Sequence, residues 1–250
     1  MESLSLLLPG GIGILLGLLL GLTGAGGSLI ALPLLLSLHL PLVDAVGVSL
    51  GAVSVAALSG LLGRYRDVAW WPVFAIAISG IPGTALGQYL GSLLPEQPLI
   101  IAFCLLVLWL AQRLWRSASS AMHSLRAHSH YPGLVGSGIA VGSLSGLLGV
   151  GGGFLVVPLL RWLTPLNVMG AAASSLAVIV LVSGSGFALY AAQHDTPWPL
   201  LGSLIAGGVI GALLGNLLAK VIGGIHVQRV FAVLLVGVSL STALYKLSGG

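Results

Sequence analysis

The chain has 250 residues, 57% of them hydrophobic and only 6% charged, with a formal net charge of +4. A soluble domain carries roughly 25% charged residues, so this composition excludes one and points to a polytopic membrane protein. Apolar runs such as 99–110 and 200–218 do not alternate, which argues against a β-barrel and for an all-α fold.

The first apolar element, 5–38, follows Glu2 instead of a basic n-region, so no cleaved leader is expected. As one helix it would measure roughly 45–50 Å, too long for one crossing and short for two. It contains a glycine cluster, GLTGAGGSLIALP from Gly21 to Pro33. A re-entrant hairpin or a broken helix fits both facts, with Pro33 expected to kink or end the short arm. Elements 43–63, 70–90 and 98–115 have lengths suited to single spans. The lone Cys104 lies in the last of these and reads as a small packed hydrophobe.

A polar stretch at 113–130 follows, and then the pattern returns. Gly146 to Pro158 reads GLLGVGGGFLVVP, 125 positions after its counterpart. Gly80, Gly83 and Gly87 match Gly208, Gly211 and Gly215; Trp71-Pro72 matches Trp198-Pro199; Ser49-Leu50 matches Ser175-Leu176. Elements 133–163, 168–191, 199–222 and 227–247 complete a second half. The expected organisation is an N-terminal membrane repeat at 1–118, a polar cytoplasmic linker at 119–131 and a C-terminal membrane repeat at 132–250.

Charge placement orients these elements. If all eight cross, Arg64, Arg66, Arg113, Arg116, Arg126 and Lys246 face one side and Arg161, Lys220 and Arg229 the other. If the first element of each half enters and leaves on one side, only Lys246 is opposed to the rest. The positive-inside rule favours the second arrangement, which makes the halves inverted repeats.

Glycines at the two breaks let backbone approach a ligand, and the short arm after each break presents unpaired N–H groups at the positive end of its dipole. Two such N-termini meeting near the midplane would hold a small anion without a buried cation. The candidate substrate-binding residues are Thr23, Gly24, Gly26, Gly27, Ser28 and Ser49 in the first half. In the second they are Gly149, Gly151, Gly152, Gly153, Ser174 and Ser175. The Gly80 and Gly208 ridges read as helix-contact faces. Asn167 and Asn216 are further hydrogen-bond donors within apolar elements, and the Arg64 and Arg66 pair reads as a topology anchor. His123, His128 and His130 have no metal-ligand spacing, and neither a metal site nor catalytic residues are expected.

The doubled Gly-x-Gly-Gly pattern followed by Pro33 and Pro158 resembles the sulfite exporter TauE/SafE family of membrane permeases, over the whole chain. Ser28 stands where the second copy has a third glycine, Gly153. The resemblance implies transport of small sulfur-containing anions such as sulfite, sulfonates or thiosulfate. The expected location is the cell's inner (plasma) membrane, with a small anionic substrate and the lipid bilayer as partners, no nucleic acid and no cofactor. A coupling ion, proton or sodium, and a homo-oligomer stay open. So do a channel-like anion pore and, from another class, a membrane scaffold or assembly protein. An enzyme is not expected: no mid-span pair of acids or nucleophile with its base is present.

Overall fold

The computed structural model describes residues 2–24, 28–36, 38, 40–95, 97–99, 101–102, 105–106, 112 and 131–219. Gly26, Gly27, the three linker histidines, residues 119–130 and the element at 227–247 lie outside the described residues. Among those described, the elements are helices: α1 Glu2–Thr23, α2 Ser28–Leu36, α3 Leu42–Leu62, α4 Trp70–Leu93, α5 Tyr131–Leu148, α6 Gly153–Leu163, α7 Val168–Gln193 and α8 Trp198–Ala219. A 3-10 turn at Tyr65–Asp67 joins α3 to α4.

Four of these helices are long and apolar enough to cross a membrane: Leu42–Leu62, Trp70–Leu93, Met169–Gln193 and Trp198–Ala219. Both elements expected to be broken are broken, into α1 and α2 and into α5 and α6. Neither proline ends its short arm. Pro33 and Pro158 sit inside α2 and α6, which continue to Leu36 and Leu163. A proline at the sixth position forfeits one backbone bond and crowds the carbonyl four residues back, which can kink a helix without ending it.

In lipid, apolar side chains gain little by leaving one apolar medium for another, so close backbone approach decides helix pairing. Glycine supplies it. On α1, a Cβ at Gly13, Gly17 or Gly21 would run into the carbonyls of Leu204, Gly208 and Ala212 on α8. Gly207, Gly211 and Gly215 of α8 answer against Gly10, Ile14 and Leu18. The second ridge pairs Gly83 and Gly87 of α4 with Ile139 and Ser143, and Gly142 and Gly146 of α5 with Gly80 and Thr84. In both pairs the numbers rise together, so α1 runs parallel to α8 and α4 parallel to α5.

The same contacts set the remaining directions. Gly47 lies on Tyr190, Gly51 on Phe187 and Gly60 beside Leu176, so α3 and α7 are antiparallel. Gly208 lies on Ala56, and Asn216 Nδ2 donates to Gly60 O at 2.9 Å, so α8 follows α3. Gly80 lies on Val182, and Gln88 Nε2 donates to Gly186 O at 2.8 Å, so α4 follows α7. Thus α1, α3 and α8 point one way and α4, α5 and α7 the other. α3 is the central helix, 83% buried over its most apolar stretch, against 39% for α4. The outer face of α4, with Ile78, Leu86, Tyr89 and Leu93 exposed, suits lipid. Trp70, Trp71, Trp162 and Trp198 are exposed near helix ends, where interfacial tryptophans belong.

Asn167, expected as a donor within an apolar element, is instead a helix cap that accepts. It caps α7, its side-chain oxygen accepting from Gly170 N at 2.7 Å. α1 and α5 end alike: Gly24 N donates to Leu20 O and Gly149 N to Ser145 O, each at 2.8 Å. Gly24 and Gly149 take φ of +74° and +63°, the left-handed glycine stop of many helices.

A candidate anion site at the glycine breaks

Beyond Val150 the second break is left-handed again, with Gly151 at φ +68° and Gly152 at φ +64°. Such angles cost an L side chain roughly 1–2 kcal/mol each. Space is also closed. A Cβ on Gly149 would come within 2.7 Å of the Val46 Cα, and one on Gly151 within 2.8 Å of the Ser183 Oγ and 3.1 Å of Val53 Cγ1. Gly152 is backed by Val141. Val53 is near the centre of α3, so Gly151 and the start of α6 stand near mid-depth of the helix layer.

Gly152 is the N-cap of α6 and contributes no side-chain cap, as a glycine must. Its carbonyl accepts from Leu155 N and Val156 N, at 3.0 and 3.4 Å. The N–H groups of the first turn precede these and have no carbonyl within the helix to meet. They carry the positive end of the α6 dipole into an apolar layer. α2 and α6 touch, so the two short arms are neighbours.

Side chains brace this backbone. Ser49, fully buried, donates to Gly149 O at 2.6 Å, across from one half to the other. Ser175, also fully buried, donates to Gly153 O at 3.1 Å. Both serines therefore point at the second break, although equivalent positions would give one to each, and both spend their proton on its carbonyls. Thr23 bonds Leu19 O at 2.8 Å, within its own helix. Ser28 is buried at the start of α2, and Gly24 abuts Ala172. Ser174 serves elsewhere: it accepts from Ala69 N at 2.9 Å, where α4 begins. Asn216 spends its amide nitrogen on Gly60 O.

Arg64, expected as a topology anchor, also bonds into the bundle. It is half-buried, and its Nη2 donates to Gly21 O at 2.9 Å, in the last turn of α1. A cation there meets the negative end of the α1 dipole. Burial pushes its pKa below the usual guanidinium value, and the nearby Asp67 opposes that shift. Arg66, by contrast, is exposed and lies against the Tyr65 ring.

Reasoning from sequence missed Ser183 and Ser145. Each is 0% exposed, and among the described residues neither hydroxyl has a hydrogen-bond partner. A serine in an apolar run was the visible signal, but helix phase relative to the break depends on tertiary packing.

Among the described residues, no group of three or more His, Cys, Asp or Glu could hold a metal ion. The chain matches the family model described as sulfite exporter TauE/SafE over residues 10–242. It is 35% identical, over 94% of both chains, to a protein of Xylella fastidiosa strain 9a5c named "Probable membrane transporter protein". It is 30% identical to "Probable membrane transporter protein YdhB" of Bacillus subtilis strain 168, covering 83% of this chain and 89% of that one. No solved structure matches. A match over nearly the full length, on a multi-pass helical chain broken twice by glycine, places this protein in the sulfite exporter TauE/SafE family.

Proposed function

We propose that the chain is a secondary permease for small sulfur-containing anions such as sulfite, sulfonates or thiosulfate, working by alternating access in the inner membrane. The observation that carries this reading is the start of α6, where left-handed glycines set first-turn N–H groups at mid-depth. Those donors match an acceptor-only oxyanion, and the dipole supplies positive field without a buried cation at the break. The family name and the relatives' printed names support the transporter class.

The helix directions support inverted halves, 1–118 and 132–250, joined by the 119–131 linker. α1 and α3 run the same way, so α2 with the segment after it must return the chain before α3 starts. α5 and α7 also share a direction, opposite to the first pair, and α6 returns the chain there. Each first element then enters and leaves on one side, and the two do so from opposite sides.

The test is uptake into proteoliposomes with sulfite, sulfate, thiosulfate, taurine, sulfoacetate and small carboxylates. Saturable flux of at least one sulfur oxyanion, competed by its analogues, is expected. Absence of flux for all of them from folded protein in either orientation would sink the reading.

A further inference from the structure

Hydroxyls in apolar helices ordinarily bond the carbonyl three or four residues back. Ser54, Ser59, Ser79, Thr84 and Ser137 do so. Ser183 and Ser145 break the pattern: both are fully buried, with no partner for Oγ among the described residues. A buried hydroxyl left this way is destabilising in the folded protein.

Both belong to the second break. The Ser183 Oγ is the atom that a Cβ on Gly151 would meet at 2.8 Å. Ser145 gives its carbonyl to Gly149 N and stands one turn along α5 from Val141, whose side chain backs Gly152. The first half has no such pair. By the spacing that relates Gly24 to Gly149, Ser145 corresponds to Leu20; by that relating Ser49 to Ser175, Ser183 corresponds to Ala57.

We propose that Ser183 is a ligand contact: its O–H, with the first-turn N–H groups of α6, donates to an oxygen of the bound oxyanion. The inference rests on the reading above that the breaks hold the anion, and adds that the breaks are unequal. Among the described residues at the second break, the second half supplies the donors, and the first half supplies the Ser49 brace with Val46 and Val53. A cradle of N–H groups and one hydroxyl at the positive end of a helix dipole suits sulfite, sulfonate or carboxylate oxygens and disfavours an ammonium group.

The experiment uses the full chain reconstituted in liposomes, with sulfite, thiosulfate, sulfoacetate and acetate as probes. Ser183→Ala is expected to raise KM for the transported probe about tenfold or more, the loss of one hydrogen bond to a charged group. Its thermal midpoint without ligand is expected to stay or rise, since a hydroxyl without a partner is removed. Ser183→Cys, of similar size but with a weak donor, is expected to raise KM in the same direction. Ser59→Ala, which removes a hydroxyl bonded to Ala56 O, is expected to keep KM within about twofold. A KM within about twofold of the original in either Ser183 variant overturns the role of Ser183 and leaves the break site standing. A parent protein that neither binds nor moves any of the four probes overturns both.

Discussion

The Gln88 side chain donates to the Gly186 carbonyl at 2.8 Å, and Asn216, its counterpart in the second half, makes the same bond to Gly60 at 2.9 Å. Two amides at related positions each tie one helix to a glycine carbonyl on the other half. Gly60 and Gly186 are themselves related by the spacing of Ser49 and Ser175.

Removing either amide should weaken the fold modestly. Interhelical hydrogen bonds in membranes are worth about 0.6 kcal/mol on average and at most about 2. Gln88→Ala and Asn216→Ala are each expected to lower the thermal midpoint in detergent, and the double variant to lose the sum, because the two sites share no partner. A double variant as stable as either single one would contradict that independence.

The glycine ridges predict a sharp contrast. Gly17→Leu and Gly142→Leu force a side chain into the backbone of α8 or α4, and folded yield should collapse. Gly11 and Gly202 have nothing within 4 Å of an added Cβ, so Gly11→Ala and Gly202→Ala should be neutral or slightly stabilising. Fluorescence-detected size exclusion of the four variants checks both arms.

Ser49 reaches across the halves to Gly149. Ser49→Ala leaves a buried carbonyl without that donor, which costs about 1–3 kcal/mol. The expected outcome is a lower thermal midpoint together with slower transport, because the break it braces loses its position. Full transport with reduced stability would make Ser49 a purely structural residue.

The inverted arrangement is open to a direct check. A reporter at the C-terminus should label from the outside and a cysteine placed in the 119–131 linker from the inside. Both labelling from one side would favour eight full crossings.

Tyr190 anchors the opposite end of the bundle from Arg64. Its hydroxyl donates to Asp44 Oδ1 at 2.7 Å, and its ring stacks on His194 at 5.0 Å. Tyr190→Phe removes the bond to the Asp44 carboxyl but keeps the ring over Gly47, and should cost about 1.5–3 kcal/mol by thermal melting.

Much of this was legible in the residues. Hydropathy alone gave a multi-pass helical chain, and the doubled glycine clusters marked where two helices break. The partners were not legible, because a ridge at Gly80, Gly83 and Gly87 declares a contact face without saying that α5 will fill it. The inward turn of Arg64 was hidden for a similar reason: arginines near span ends usually snorkel, and only the arrival of the α1 terminus beside it supplies a carbonyl to bond. Ser174 and Asn216 read as free donors in the sequence, yet backbone groups from distant helices had claims on both.

The parallel pairing of α1 with α8 and of α4 with α5 means that each half lends its opening helix to the other. Among the described helices, those before the linker and those after it are therefore interlaced. If the protein rocks, moving residues 1–118 against 132–250 would have to part the α1–α8 and α4–α5 contacts. The seam would run instead between α1 with α8 and α4 with α5, so each rocking body would mix both copies of the repeat.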